Sequence, residues 1–386
     1  MKSLVKKVTL AAGLTAAASM ASAETQGVTD TEIVIGSVSD LSGVFAAVGE
    51  PAMRGANLYF DKVNAAGGVH GRTIRFITED HGYQLPRAMQ GYNKLLKRDK
   101  AFMMLQSLGT PMNMAGFKLL DPIGIPNVAP LTAARQMLQD PMDNKFTSFS
   151  SYYDQARVGV KYLNKEFGGQ NVCAMYLPTD FGKEILEGAH AGVKEAGLSF
   201  VTETTHKPDE GDFVGSLSKL NEAGCEIVVV GIPVRQAITV VATAKKMGLA
   251  DMKFLGTSAS FLTVVAGVPG GVTEGFYAAA SWQDLWARAD EPAPKAFIEE
   301  YKAATGKDPV GFSMLGYAAA KMTVMALEKA GPDLTHESFI SAMESLDYQD
   351  DLVGNKMTYG PDDHQGADSV YVSVVENGKW KKVYEE

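Results

Sequence analysis

The sequence predicts an α/β protein of two lobes, each a parallel sheet with helices on both faces. Three observations predict it. Apolar runs of strand length alternate strictly with amphipathic stretches of helix length, the pattern of parallel sheets wound on both sides. The chain has 386 residues, enough for two domains of ordinary size. After an irregular stretch at residues 141–149 the alternation begins a second time. With 46% hydrophobic and 21% charged residues, packed cores can form and wholesale disorder is disfavoured.

The first strand is expected over residues 32–38, apolar through Ile33, Val34 and Ile35. A loop from Ser39 to Phe45 leads to a helix over 49–65, whose apolar face carries Met53, Ala56, Leu58, Phe60 and Val63. Gly67-Gly68 stops it. A strand over 72–78 and a helix over 85–97 follow. The apolar run 101–105 reads as a buried strand that ends in Ser107-Leu108-Gly109-Thr110-Pro111. There Thr110 as N-cap and Pro111 as first helical residue open a helix that reaches Leu120. The next strand, 126–130, ends in Leu131-Thr132-Ala133.

Residues 141–149 read as an irregular crossing to the second lobe. Helices are predicted there over 153–167, 181–196, 213–222 and 234–247. They alternate with strands over 171–177, 199–205, 226–231 and 253–255, the last reaching Gly256-Thr257-Ser258. A strand over 275–280 makes a second crossing, and helices over 294–304 and 311–330 return to the first lobe. Residues 347–359 and 369–383 read as extended, with Asn377-Gly378 as a turn.

The loop at 107–111 has the chemistry of an anion seat. Gly109 lets the backbone come close to whatever lies in front of the helix, and free N–H groups with the positive dipole end favour a carboxylate. The 131–133 loop adds a hydroxyl at the same edge, where open α/β sheets collect ligands. A Thr-Pro helix start also occurs with nothing bound in front of it, so capping alone is the competing reading. Signs of an enzyme are missing: no phosphate-binding loop, no dinucleotide fingerprint after the first strand, no complete nucleophile elbow around Ser258, and six scattered histidines. His81 beside Asp80 reads as surface polar chemistry. No cofactor and no metal are expected.

The first residues read as a secretory signal peptide, 1–23. Lys2, Lys6 and Lys7 precede an apolar stretch, and Ala21-Ser22-Ala23 fits the cleavage rule. The apolar run is too short to span a bilayer, so an exported, soluble protein beginning near Glu24 is expected. The leader holds three of the 36 basic side chains, leaving 33 against 45 acidic ones, a net charge of −12. That surface repels nucleic acid. Cys173 and Cys225 either form a disulfide, as export permits, or stay as buried thiols.

The run Ile35-Gly36-Ser37-Val38-Ser39-Asp40-Leu41-Ser42-Gly43 resembles the opening of the leucine/isoleucine/valine-binding periplasmic proteins of ABC transporters. So do Gly55-Ala56, the stretch from Val63 to Val69, Gly71-Arg72 and Asp80, and the likeness continues in order through the chain. The resemblance implies a type I periplasmic binding fold, two Rossmann-like lobes joined by a three-strand hinge. One lobe would comprise residues 24–149 with 281–371, the other 150–280 with 372–386. It also implies ligand positions: Gly109 and Thr110 at the carboxylate, Leu131 and Ala133 with neighbouring Thr132 in a second carboxylate loop, Phe181 closing over from the second lobe with Asp180 before it, and Phe312 on the side-chain pocket.

Three positions depart from the amino-acid binders of that family. Ser258 stands where an acidic residue pairs with the ligand ammonium; Val48 and Pro233 stand where aromatics are usual. A buried ammonium without a carboxylate partner is costly, unless Asp180 or Glu50 substitutes. Phe45, Tyr152, Tyr153 and Phe181 offer walls for an aliphatic or aromatic acid instead. The expected function is therefore an exported solute-binding protein of an ABC importer, a monomer that delivers a branched-chain amino acid or another small carboxylate to a membrane permease pair. A periplasmic sensor feeding a receptor kinase is the alternative within the same fold. An NAD-type enzyme is disfavoured by the leader and the missing glycine fingerprint.

Overall fold

The computed structural model describes residues 25–386, so the expected signal peptide, 1–23, lies outside the described residues. The first sheet has the order β2-β1-β3-β4-β5 and is parallel throughout. Its strands are β1 (Glu32–Ser39), β2 (Thr73–Asp80), β3 (Met103–Leu105), β4 (Asn127–Val128) and β5 (Lys145–Phe146). The helices between them are α1 (Ala46–Ala65), α2 (Leu85–Lys97) and α3 (Thr110–Leu120). Helix α1 starts earlier than its apolar pattern suggests. The buried Asp40 carboxylate accepts the amides of Gly43 (2.6 Å) and Phe45 (2.9 Å) and turns the chain into the helix. The stretch expected to be an irregular crossing contains β5, whose two residues show no periodicity; the carbonyl of Phe146 accepts the Ala129 amide at 2.7 Å.

The second sheet is built from α4 (Tyr152–Phe167), β6 (Asn171–Tyr176), α5 (Asp180–Ala196), β7 (Ser199–Thr205), α6 (Val214–Glu222), β8 (Ile227–Gly231), α7 (Val234–Lys246), β9 (Lys253–Gly256), the short α8 (Thr263–Ala266) and β10 (Tyr277–Ala280). Helices α9 (Pro292–Thr305), α10 (Gly311–Ala330) and α11 (His336–Glu344) follow, then strands β11 (Asp347–Asp350) and β12 (Asn355–Thr358). The chain ends in β13 (Tyr371–Glu376) and β14 (Lys379–Glu385). The second sheet runs β14-β13-β10-β9-β8-β6-β7. Its strands from β7 to β10 are parallel as expected, while β10 with β13 and β13 with β14 are antiparallel. The last pair is joined by the expected turn, where Asn377 and Gly378 both have positive φ (54° and 71°), which matches the twist of a hairpin.

Helix α11 and the β11–β12 hairpin were not predicted as such. A capping box starts α11, in which the Thr335 hydroxyl accepts the Ser338 amide (3.0 Å) and the Ser338 hydroxyl accepts the Thr335 amide (2.9 Å). One face of the first sheet packs Ile33 and Ile35 against Ala56 and Phe60 of α1 and against Ala320, Met322 and Leu327 of α10. The other face packs Val34, Val38 and Met104 against Tyr92, Leu95 and Phe117 of α2 and α3. In the second sheet Cys173 on β6 and Cys225 just before β8 form a disulfide, which resolves the alternative left open by the sequence.

The chain passes between the two sheets three times: after β5, after β10 and before β13. These passages are tied to one another. The Thr147 amide donates to the His364 carbonyl (2.9 Å), the Gly366 amide to the Thr147 carbonyl (2.9 Å) and the Ser150 amide to the Ser281 hydroxyl (2.6 Å).

Candidate functional site

The carboxyl ends of β3 and β4 lie side by side and turn together. Leu108 and Leu131 form a parallel bridge, and the Leu131 amide donates to the Ser107 carbonyl at 3.0 Å. The N-cap of α3 is Gly109, not Thr110. Its φ of +98° is left-handed, and a Cβ there would meet Met112 Sδ at 3.1 Å and Tyr83 Cε2 at 3.3 Å, so only glycine fits without movement. Asn113 fixes the turn, its Nδ2 donating to the carbonyls of Ser107 and Gly109 at 2.9 Å each. Relieved of capping, the Thr110 hydroxyl reaches Thr132 instead, with Oγ1 to Oγ1 at 2.7 Å.

Tyr152, the first residue of α4, closes this cluster. Its amide donates to the Ala133 carbonyl at 2.7 Å. Burial pushes its phenol up to about 12, with the Ala133 amide and the Thr132 hydroxyl pulling the other way. The phenol is therefore neutral at physiological pH. The hydroxyls of Tyr152, Thr132 and Thr110 stand together at the sheet edge in front of the α3 N-terminus, with Thr110 bonded to Thr132 and all three residues lining the space before them.

That space is a narrow pocket with room for the centre of a water-sized sphere over about 30 Å³. Gly109, Thr110, Leu131, Thr132, Ala133 and Tyr152 line one end of it. Phe45, the N-cap of α1, and Phe181, in the first turn of α5, meet edge to face with ring centroids 5.8 Å apart, and Phe181 meets Tyr152 in the same way at 5.3 Å. Phe312 and Ser258 complete the expected residues that the pocket brings together. Five further residues line it that the sequence reading did not single out: Tyr83, Leu108, Phe149, Ala259 and Trp282. Tyr83 follows β2 at the same sheet edge, a signal that could have found it. Phe149 and Trp282 come from the passages between sheets, which no periodicity marks. Trp282 lies between Phe149 (4.9 Å) and Phe312 (5.7 Å).

Three expected residues do not reach the pocket: Asp180, Pro233 and Tyr153. Asp180 begins α5 and faces an outer groove beside Leu85 and Pro111, because the helix turns Phe181, one residue on, inward instead. Pro233 is the buried N-cap of α7 and does not line the pocket. Glu50, the other carboxylate considered for an ammonium, is exposed and pairs with Arg54 one turn along α1. The lining contains no acidic and no basic side chain. At Ser258 the amide is already used, donating to Gln155 Oε1 at 2.8 Å. Among the described residues no group of His, Cys, Asp and Glu side chains could hold a metal ion.

Behind the first loop lie Asp80 and His81. His81 is fully buried rather than on the surface. Its Nδ1 accepts the Tyr83 amide (2.9 Å), so Nε2–H donates to the Leu108 carbonyl (3.1 Å), and the ring pins two pocket-lining segments. Burial holds its pKa below the ordinary histidine value. Asp80 is pulled down to about 2: burial pushes upward, but the Ser42 hydroxyl, the Leu41 and Gly82 amides and Arg87 outweigh it. A carboxyl lowered in the folded state contributes stability that is complete above its ordinary value of 3.8 and lost as pH falls through about 2. Asp80→Asn should therefore cost about 1–2 kcal/mol at pH 7, after allowance for solvent screening, with the deficit closing between about pH 4 and pH 2. Thermal melts of both proteins across that range measure it.

Arg135, in the segment after β4, crosses to α5. Its Nε donates to Glu184 Oε1 (2.7 Å), its Nη2 to Glu184 Oε2 (3.1 Å) and Glu187 Oε2 (2.6 Å), and its amide to Glu184 Oε1 (3.1 Å). The guanidinium lies 3.9 Å from the Tyr153 ring centre, which gives Tyr153 a place at this contact rather than in the pocket. The Glu184 side chain is wholly buried between the two sheets.

Residues 32–379 match the model of a family described as periplasmic binding protein. An amino acid binding protein of Pseudomonas aeruginosa is 24% identical over 303 residues, 78% of this chain and 79% of that protein. Among solved structures, a fatty acid ABC transporter substrate-binding protein from Thermomonospora curvata superposes with a TM-score of 0.84 at 26% identity, covering 94% of this chain and 93% of that one. A solute-binding protein of an ABC transporter from R. palustris in complex with benzoate gives 0.81 at 18% identity over 92% and 96%.

Proposed function

The chain belongs to the periplasmic binding protein family, whose members bind solutes and catalyse nothing, and from that premise we propose that it captures an apolar or aromatic carboxylate for an ABC importer. The observation that carries this reading is the composition of the pocket: hydroxyls and a helix N-terminus at one end, aromatic and aliphatic walls elsewhere, and no acidic side chain. A carboxylate finds donors there. An α-ammonium does not find a partner, and leaving it unpaired in a buried site is costly. The similarity to a fatty acid binder and a benzoate complex supports the same class, while the amino acid relative supports the branched-chain alternative.

In this reading residues 24–149 with 281–371 form one lobe and 150–280 with 372–386 the other, and the three tied passages serve as the hinge. The ligand seats first on Gly109, Thr110, Thr132 and Ala133, and Phe181 closes over it. A ligand shifts the open–closed balance only by its differential affinity for the two states. The protein acts in the periplasm as a monomer and presents its closed face to a permease pair. Among the described residues no helix is long and apolar enough to cross a membrane.

A thermal-shift screen tests the class. Benzoate and medium-chain fatty acids are compared with leucine, isoleucine and valine, each well above its dissociation constant; at about 100 times that constant a ligand adds roughly 2.7 kcal/mol. Acids should raise the melting temperature. A shift from the amino acids alone overturns the reading.

Closure also makes Arg135–Glu184 a latch, since the contact joins elements of opposite lobes. Glu184→Gln keeps the shape and removes the charge. It should weaken any lobe-bridging ligand roughly tenfold, mostly through faster dissociation. Stopped-flow release measures it, and an unchanged off-rate would remove the contact from the closing mechanism.

A further inference from the structure

A second, narrow chamber, with room for the centre of a water-sized sphere over about 20 Å³, lies behind the first pocket and shares Phe149 with it. Helix α10 runs past both: Phe312 faces the first pocket, and Leu315, Ala319 and Met322 continue the same stripe along the second. Residues spaced three or four apart on a helix form one continuous face, so the two spaces are lined by a single surface with the Phe149 ring between them. The walls of the second chamber are mostly apolar, with Gln106, Ser148, Tyr348 and the buried Asp350 as its polar groups.

One of these polar groups is an unmet acceptor. The Gln106 side chain is fully buried; its Nε2 donates to the Leu315 carbonyl (3.2 Å), but its Oε1 has no partner, and neither does the nearby Ser148 hydroxyl. The backbone beneath is unusual as well. Gln106 and Ala129, adjacent residues at the ends of β3 and β4, both have left-handed φ (52° and 47°) although neither is glycine. Such conformations persist only where the surroundings hold them, and they gather at ligand sites.

We propose that the second chamber is a tail subsite: an elongated carboxylate seated at Thr110 and Thr132 extends along α10, turns the Phe149 ring aside, and places a terminal hydroxyl on Gln106 Oε1. The proposal rests on the carboxylate reading above. Gln106 Oε1 only accepts, so the group it selects is a donor. A buried acceptor left unpaired discriminates strongly against an analogue that lacks the donor.

Isothermal titration with benzoate, decanoate and 10-hydroxydecanoate tests it on the unmodified protein and on two variants. The unmodified protein should bind 10-hydroxydecanoate about tenfold or more tighter than decanoate. Gln106→Leu should erase that preference. Ala319→Phe, which fills the chamber, should weaken both long acids at least about tenfold while changing benzoate affinity by less than about twofold. If the unmodified protein binds benzoate but does not distinguish the two long acids, and Ala319→Phe weakens neither, the chamber is a water pocket and the proposal fails. If no acid binds at all, benzoate included, the carboxylate reading fails and the subsite falls with it. The first of these measurements needs no variant, so a misfolded substitution leaves the test intact.

Discussion

Replacing Thr110 and Thr132 together by alanine should weaken a carboxylate ligand by about a hundredfold or more, because hydrogen bonds to a charged group each contribute about 1.5–3 kcal/mol. The Thr110–Thr132 contact of 2.7 Å means that the two hydroxyls act as a unit. Thr110→Ala alone should therefore account for most of the loss, and the single effects should not add. Thr110→Ser retains the hydroxyl and should bind within a few-fold of the parent. Titration calorimetry with benzoate distinguishes these cases. The melting temperature without ligand reports whether the shelf is still folded. A double alanine variant that binds within threefold of the parent would take the shelf out of the site.

Loss of the Cys173–Cys225 bond has the second large effect, and it should fall on stability alone. The bridge joins residues 52 apart. Closing a loop of that size in the unfolded chain corresponds to about 4 kcal/mol in the chain-entropy model, within the usual range for native disulfides. The Cys173→Ala, Cys225→Ala double variant should show a urea midpoint lowered to match. Cys173 lies on β6 and Cys225 just before β8, and neither residue lines the pocket, so ligand affinity at 25 °C should be unchanged. An unaltered midpoint would mean that the bond constrains nothing the folded chain does not already hold.

Much of this architecture was legible because long elements repeat their pattern. Helix α10 has the predicted bounds, and the loops at Gly109–Thr110 and Leu131–Ala133 come together at one sheet edge. What escaped was short or three-dimensional. A two-residue strand such as β5 has no period to detect. The left-handed turn at Gln106 carries no glycine to announce it. Thr110 reads as a helix cap by residue type, and only the neighbouring Thr132 hydroxyl shows where its oxygen is engaged. Asp180 and Pro233 sit at the right strand ends but on the wrong side of their helix starts, a difference of about 100° per residue that sequence position alone does not resolve. Trp282, Phe149 and the Arg135–Glu184 contact depend on how the sheets face each other.

Strand β14 has a bearing on how the protein behaves in concentrated solution. It forms one open margin of the second sheet, and an exposed margin is a template on which identical chains can stack. Here it carries Lys379, Lys381 and Lys382, all exposed. A second copy adding itself strand to strand would have to strip water from these charges, two of them already paired with Glu376 and Glu385, so the hairpin that completes the sheet also guards it against self-association.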